Sequence, residues 1–589
     1  MTTVAASPLQ ARGGAFLVED RRPDEIFTAE DLTEEHLAIA RTVDQFWANE
    51  VEPNLEAIRK YEPAVALRVL RKSAELGLTA IPIPERFGGM EMDLASVMIA
   101  SEHLAKDVSY GSWHSAHTGI GTLPILFFGT EEQKTKYLPR LANAELLAAY
   151  ALTEPLAGSD ALAVRTRADL SPDGKYYVLN GQKMWITNGG AADLFTVFAK
   201  VGGEKFTAFL VERSFAGVSS GAEEHKMGMK GSSTTAVYFD NVRVPAENLL
   251  GEIGRGHVIA FNILNIGRLK LGAGALGGAK KVIAICLKYA KERKAFGSAI
   301  AEFGAIQHKL AEMAIRTYAV ESMVWRVVGL IESQLQQSAR DESKSNRELK
   351  AVEEYAAECS MIKVYASEML DYVVDEGVQI HGGYGYHQDY AVEAAYRDAR
   401  INRIFEGTNE INRLLITGML LKRAARGQLA LIPAAQDVLN GSGKSMADTA
   451  TGDEETRLVS NAKKIALFTI GIAQQRYAAE LEKQQEVLMN ISDIIMETFA
   501  MESSLLRSRK LAASGKEADA ADMCAVFLRD AMNRIACSAR NVLGTCSSKS
   551  ALRQDAATLR QFAEHDLIDA IAFRRNIARK LLAEGRYSP

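Results

Sequence analysis

Between residues 149 and 250 the chain changes its hydrophobic rhythm, and this constrains its fold more than any other feature. On either side, apolar residues recur at helical spacing over long stretches. Inside stand short β-branched and aromatic runs: Tyr176-Tyr177-Val178-Leu179, Leu194-Phe195-Thr196-Val197-Phe198-Ala199, Phe206-Thr207-Ala208-Phe209-Leu210-Val211 and Ala236-Val237-Tyr238-Phe239. Asp173-Gly174 and Asn180-Gly181 mark turns between them. Such spacing predicts a small antiparallel barrel or sandwich. The fold class is therefore α+β, mainly α. The expected order is an N-terminal helical domain (28–148), a middle β domain (149–255), a helical bundle (256–427), a linker (428–456) and an appended helical domain (457–589). Within the helical parts, Pro82–Gly89 reads as a loop and the polar run Leu335–Ser343 as a helix–helix connection.

Composition narrows the function classes. With 589 residues, 47% of them apolar, the chain can bury several cores. A net charge of -5 gives no broad basic field for nucleic acid. Five cysteines, scattered without CxxC spacing, read as reduced thiols and not as a metal or disulfide framework. No apolar run reaches membrane-spanning length. Acids among the arginines of residues 1–27 argue against a transit peptide. The expectation is a soluble protein, cytoplasmic in a bacterium or in the mitochondrial matrix in a eukaryote. Helices in 457–589 are read first as a cover for the catalytic lobes, with pairing to a second subunit or peripheral membrane contact as the other uses.

Gly272-Ala273-Gly274-Ala275-Leu276-Gly277 matches the dinucleotide pattern GxGxxG, but that reading needs a preceding strand and a βαβ unit. Helical spacing runs through the motif, so small residues for close helix packing are the better account. His114 and His117 have no third ligand nearby in sequence and are assigned to packing.

The candidate chemistry centres on Arg403-Ile404-Phe405-Glu406-Gly407-Thr408-Asn409. An acid among apolar neighbours is poorly solvated, which raises its pKa and makes it a stronger base. Such a base can remove a proton from carbon beside a carbonyl. Two further segments offer binding groups. The loop Tyr150–Asp160 is rich in hydroxyl and backbone donors, and Gly181–Gly189 presents Trp185 as a flat face with the Thr187 hydroxyl at its edge.

These motifs, in this order, resemble the acyl-CoA dehydrogenase family. The likeness continues through Met229–Thr234, Phe239–Pro245, Glu292–Gly297 and Gln379–Tyr386, and spans about residues 40–420. With its appended C-terminal domain the chain looks most like the very-long-chain branch, which includes mitochondrial relatives with an assembly role. The resemblance implies an FAD enzyme, most simply a homodimer, that desaturates long acyl-CoA thioesters at the α,β bond in fatty acid β-oxidation. Electrons would pass to an electron-transfer flavoprotein. Glu406 is the implied base. Tyr150, Leu152, Thr153, Ser159, Trp185, Ile186 and Thr187 match flavin contacts. Arg293, Phe296, Gln307, Gln379, Gly382 and Gly383 match cofactor contacts near the subunit interface. Thr408 and Glu410 match positions near the adenosine or pyrophosphate part. Ser159, Arg268 and Gly407 match substrate contacts.

Two departures stand out. Where some branches carry the base just before the arginine, this chain has Gly267. Where many members place Gln directly after the phenylalanine, it has Gly304 after Phe303, with Gln307 three residues on. The alternatives are a scaffold protein that kept the fold, and an acyl-CoA oxidase.

Overall fold

The computed structural model describes residues 12–338, 343–441, 453–515 and 518–589. The N-terminal lobe holds α1 (Glu34–Phe46), α2 (Leu55–Arg59), α3 (Pro63–Glu75), α4 (Leu94–Leu104), α5 (Val108–Ala116), α6 (Leu123–Phe128) and α7 (Glu131–Ala142). Their starts follow from local chemistry. Thr33, Asp93 and Thr130 each accept the backbone N–H three residues on, satisfying a helix donor that would otherwise be orphaned.

The middle region forms one sheet from β1 (Ala148–Ala151), β2 (Arg167–Leu170), β3 (Tyr176–Thr187), β4 (Leu194–Val201), β5 (Lys205–Glu212), β6 (Val218–Glu223), β7 (Thr234–Pro245) and β8 (Leu249–Leu250). Strand order is β6-β7-β3-β2-β4-β5-β8, with β1 also on β4. Most pairs are antiparallel. The β1–β4 and β2–β4 pairs are parallel, which the alternation of apolar runs did not reveal. Burial on both faces of β4 and β5 explains their nearly continuous apolar runs.

Then follow α8 (Gly256–Glu292), a short ribbon of β9 (Lys294–Ala295) and β10 (Ser298–Ala299), α9 (Gly304–Gln337), α10 (Lys344–Glu354), α11 (Ala356–His381), α12 (Ala391–Ala399) and α13 (Asn409–Ala425). The GxGxxG segment lies inside α8, where its glycines admit neighbouring helices. A Cβ on Gly272 would stand 2.2 Å from Ile362 of α11, and one on Gly277 would stand 1.9 Å from the Glu102 carbonyl of α4. The close approach offsets the helical cost of glycine.

The rest is α14 (Leu431–Leu439), α15 (Glu454–Tyr477), α16 (Gln485–Ala513), α17 (Ala518–Cys546), α18 (Leu552–Ala563) and α19 (Ala570–Glu584). Part of the span expected as a linker is thus the helix α14, whose Leu439 packs on Gly471 of α15. Residues 442–452 of that span, and 339–342 of the expected helix connection, lie outside the described residues. Among the described residues no helix is long and apolar enough to cross a membrane, and all five cysteines are free.

A band of buried charge ties these layers together. Arg507 of α16 pairs with Glu30 at 2.6 Å and Glu321 of α9 at 2.7 Å, and Glu321 also accepts from Lys280 of α8 and from the Tyr587 hydroxyl. Burial opposes the charge on Glu321, but its two cations hold its pKa at about 2.

Candidate active site

Glu406 sits in the short connection between the end of α12 and the start of α13. Its backbone is left-handed (φ 58°), as is that of Gly407 (φ 82°). A non-glycine residue held there is strained, and persists only where its surroundings fix it. Here they do. The Glu406 carbonyl accepts from Arg268 Nε at 3.2 Å, and the Gly407 carbonyl accepts from Lys363 Nζ at 2.7 Å and Asn412 Nδ2 at 2.8 Å. Lys363 also donates to Asn409 Oδ1 at 2.7 Å. Thr408 caps α13 by accepting from the Ile411 N–H.

The residue is half-buried, but Glu406 Oε2 is fully buried and has no hydrogen-bond partner. Desolvation pushes its pKa above the ordinary glutamate range, against the pull of Arg268, Lys363 and Lys270. The carboxyl lies over Gly267 of α8. A Cβ there would stand 2.8 Å from Oε2, so the missing side chain makes room for the acid.

A cavity of about 180 Å³ opens from this carboxyl between α4, α5, α8 and α11. Thr187 and Met229 border it from the β-domain side, and Leu104, Ile263, Leu271 and Phe405 give it apolar walls. Tyr150 is buried nearby with its hydroxyl also unpartnered, and burial, with the Glu406 charge, keeps that hydroxyl protonated. The two sequence segments read as binding loops lie side by side, because Met184 N–H donates to the Thr153 carbonyl at 2.9 Å. Trp185 stands at an irregularity of β3 with φ 55° and is 61% exposed. A large exposed indole, an unpartnered buried hydroxyl and Thr187 at the cavity wall fit a flat aromatic ring with polar edges. Ile186 is buried behind them, Leu152 is buried and Ser159 is exposed.

A second cleft holds Arg293, His381, Gly382, Gly383 and Tyr384, and shares no lining residue with the first. Arg293 lies over the Tyr384 ring, 5.3 Å from its centroid, and Phe296 is 98% exposed beside it in sequence. Gln379 is exposed on the last turn of α11, and Glu410 is exposed in the first turn of α13. Gln307 points its amide back to the Ala301 carbonyl at 3.0 Å.

Sequence reading did not single out Gly267 as space for the acid, nor Lys363, Asn409 and Asn412 as anchors of the Glu406 backbone. It also missed Lys183, wholly buried and donating to Glu154 at 2.7 Å and to the Leu152 carbonyl at 3.1 Å, which shapes the first binding loop. His114 and His117 each bond a backbone carbonyl, of Leu78 and Leu141. Among the described residues no three His, Cys, Asp or Glu side chains are grouped to hold a metal.

Comparison with known proteins gives the family. Profiles described as acyl-CoA dehydrogenase N-terminal, middle and C-terminal domains match residues 33–145, 149–242 and 254–421, and a further acyl-CoA dehydrogenase C-terminal domain matches 461–561. A probable acyl-CoA dehydrogenase of Bacillus subtilis is 46% identical over 98% of both chains. The bovine mitochondrial very long-chain specific acyl-CoA dehydrogenase is 45% identical over 58% of this chain and 51% of its own. An acyl-CoA dehydrogenase crystallised with FAD from Bacillus anthracis superposes with a TM-score of 0.95 at 47% identity, covering 98% of this chain and all of that one. The chain belongs to the acyl-CoA dehydrogenase family.

Proposed function

We propose that the protein is an FAD-dependent dehydrogenase that converts long acyl-CoA thioesters to trans-2-enoyl-CoA and passes the electrons to an electron-transfer flavoprotein. The observation that carries this reading is the buried, unpartnered carboxyl oxygen of Glu406 at the end of an apolar cavity that Thr187 also borders.

Glu406 takes the proton from the substrate α-carbon. Its desolvation strengthens it as a base, while Arg268 and Lys363 moderate the shift so that the ionised form stays accessible. Because both carbonyls of the Glu406-Gly407 turn are pinned, the carboxyl is positioned before substrate arrives. The Glu406 backbone N–H is assigned to the thioester oxygen, where negative charge develops. Tyr150, Leu152, Thr153, Trp185, Ile186 and Thr187 would hold FAD, which supplies the acceptor for the β-hydride. The apolar walls exclude water from the proton transfer. Likeness to the very long-chain enzyme supports long chains. The Arg293 cleft, separate from the Glu406 cavity, supports a homodimer in which Arg293, Gly382 and Gly383 serve the partner's cofactor.

The test is Glu406→Gln. The wild-type protein should be yellow, and palmitoyl-CoA should bleach it without oxygen. The variant should stay yellow but lose roughly 10²–10⁴-fold in turnover. Near wild-type bleaching by the variant would place the base elsewhere.

A further inference from the structure

Lys270 lies three residues beyond Gly267 on α8, about 4.5 Å along the axis. It is 7% exposed and lines the Glu406 cavity. It also lines a second cavity of about 280 Å³, which shares Ser101, His114, Leu123 and Lys270 with the first. The ammonium therefore stands in the wall between two chambers, on the path that an acyl chain would follow away from the base.

Its company is unusual for a buried lysine. Lys183 is paired with Glu154, and Lys463 with Glu502 and Asp20. Lys363 is held by a carbonyl and an amide oxygen. Lys270 donates to one hydroxyl, Thr118 Oγ1, at 3.1 Å, and no carboxylate within 4.0 Å pairs with it among the described residues. The opposite charge that acts on it is the Glu406 carboxylate, which makes no hydrogen bond to it, and His114 beside it brings no counter-charge. Its ring is kept neutral by burial and by the Lys270 charge, with a pKa of about 3, and its Nε2 is engaged by the Leu78 carbonyl. A buried cation short of acceptors is costly, so the site favours an occupant that supplies an anionic oxygen. A plain methyl-terminated chain passing this point displaces solvent from the ammonium and returns no acceptor. The second chamber is also lined by Glu91, Asp93, Glu332 and Glu348, with one further cation, Lys344, which is paired to Glu91 at 3.4 Å, so it offers an anion no unpaired cation besides Lys270. A negatively charged chain end thus finds its unpaired cation at Lys270.

We propose that the enzyme also takes acyl-CoA thioesters whose chain ends in a carboxylate, and that Lys270 is the residue that binds that carboxylate. The inference rests on the dehydrogenase reading of the Glu406 cavity. Methyl-terminated long chains run past Lys270 into the second chamber without this contact.

The experiment compares two ladders of saturated acyl-CoA, one methyl-terminated and one ω-carboxylated, by flavin bleaching and by kcat/KM with a dye acceptor. At the chain length that reaches Lys270, the ω-carboxylated thioester should exceed its methyl counterpart by roughly 10- to 100-fold in kcat/KM. Lys270→Met should collapse that ratio to near one, and Lys270→Arg should retain most of it. The ratio cancels any change that either variant makes to the Glu406 base, and flavin absorbance per protein reports folding. Equal use of both ladders by the wild type, or a ratio that survives Lys270→Met, would overturn the proposal while leaving the dehydrogenase reading intact. No bleaching by either ladder would overturn both.

Discussion

At the scale of single residues, the site depends as much on a missing side chain as on those present. Gly267 is not in the left-handed region, so backbone freedom does not demand it. Space does. Its absent Cβ would lie 2.8 Å from Glu406 Oε2 and 3.2 Å from the carboxyl carbon. Gly267→Ala must therefore move the acid, because α8 is packed on both α4 and α11 and cannot yield. A displacement near 1 Å is enough to cost roughly a hundredfold in rate. The variant should lose about that much kcat with palmitoyl-CoA while keeping its flavin, as read by absorbance and steady-state kinetics. Unchanged kcat would show that the carboxyl is free to relocate without penalty. The acid itself was legible in the sequence because apolar neighbours and a following glycine surround it. Its supports were not. Gly267, Lys363 and Asn412 reach it from two other helices and one turn on, and no spacing along the chain encodes that approach.

At the scale of elements, the N-terminal segment before α1 is held on α10 and α11 by an acid in an uncommon state. Glu358 of α11 accepts the Gly14 N–H at 2.7 Å through Oε1, while its Oε2 is buried without a partner. Burial raises its pKa from 4.5 to about 7, against the opposing pull of the Gly14 N–H. The sign follows from proton counts. Between pH 4.5 and about 7 the folded protein holds a proton on Glu358 that the unfolded chain has released. Stability therefore falls as pH rises through that window, by about 3 kcal/mol in total, and the penalty is fully present above it. Glu358→Gln keeps the acceptor for Gly14 but cannot ionise. Its melting temperature should fall less than the wild-type value between pH 5 and pH 8, and an identical pH dependence would refute the assignment. The elements themselves were legible where periodicity is strong, as in α8, α9 and the β3, β4, β5 and β7 runs. The parallel pairs β1–β4 and β2–β4 were not, because pairing direction depends on which distant strand arrives. The α14 helix was hidden by a polar, glycine-containing neighbourhood, although its own run of Leu431–Leu439 is apolar enough to bury against α15.

At the scale of the whole molecule, the appended domain is bound to the catalytic lobes by buried charge as well as by apolar packing. Arg507 of α16 is 1% exposed and joins Glu30, ahead of α1, to Glu321 in α9. Glu502 and Lys463 extend the same band to Arg326 and Asp20. Arg507, Glu321, Glu502, Lys463 and Arg326 have left water, whereas Asp20 is exposed and Glu30 partly so, and the buried members are tolerable only while they are matched. Arg507→Met removes the one ion-pair partner of Glu30 among the described residues, whereas Glu321 keeps Lys280 and Tyr587. The single variant should lose about 1–3 kcal/mol, less than the cost of stranding a fully buried charge, because Glu30 keeps part of its contact with water. Adding Glu30→Gln removes the stranded charge and should recover a substantial part of that loss. An exposed pair gives the contrast. Arg22 and Asp24 meet at 3.2 Å with both side chains 71% exposed, so Arg22→Ala should change stability by less than about 1 kcal/mol. Thermal unfolding of the four proteins measures the comparison, and limited trypsin digestion adds a local readout at Arg21, since Pro23 protects the bond after Arg22. Early cleavage there in Arg507→Met, suppressed in the double variant, would show that the N-terminal segment is held through this charge. Equal stability of the single variant and wild type would mean that the Arg507 pairs do not help to fasten the appended domain.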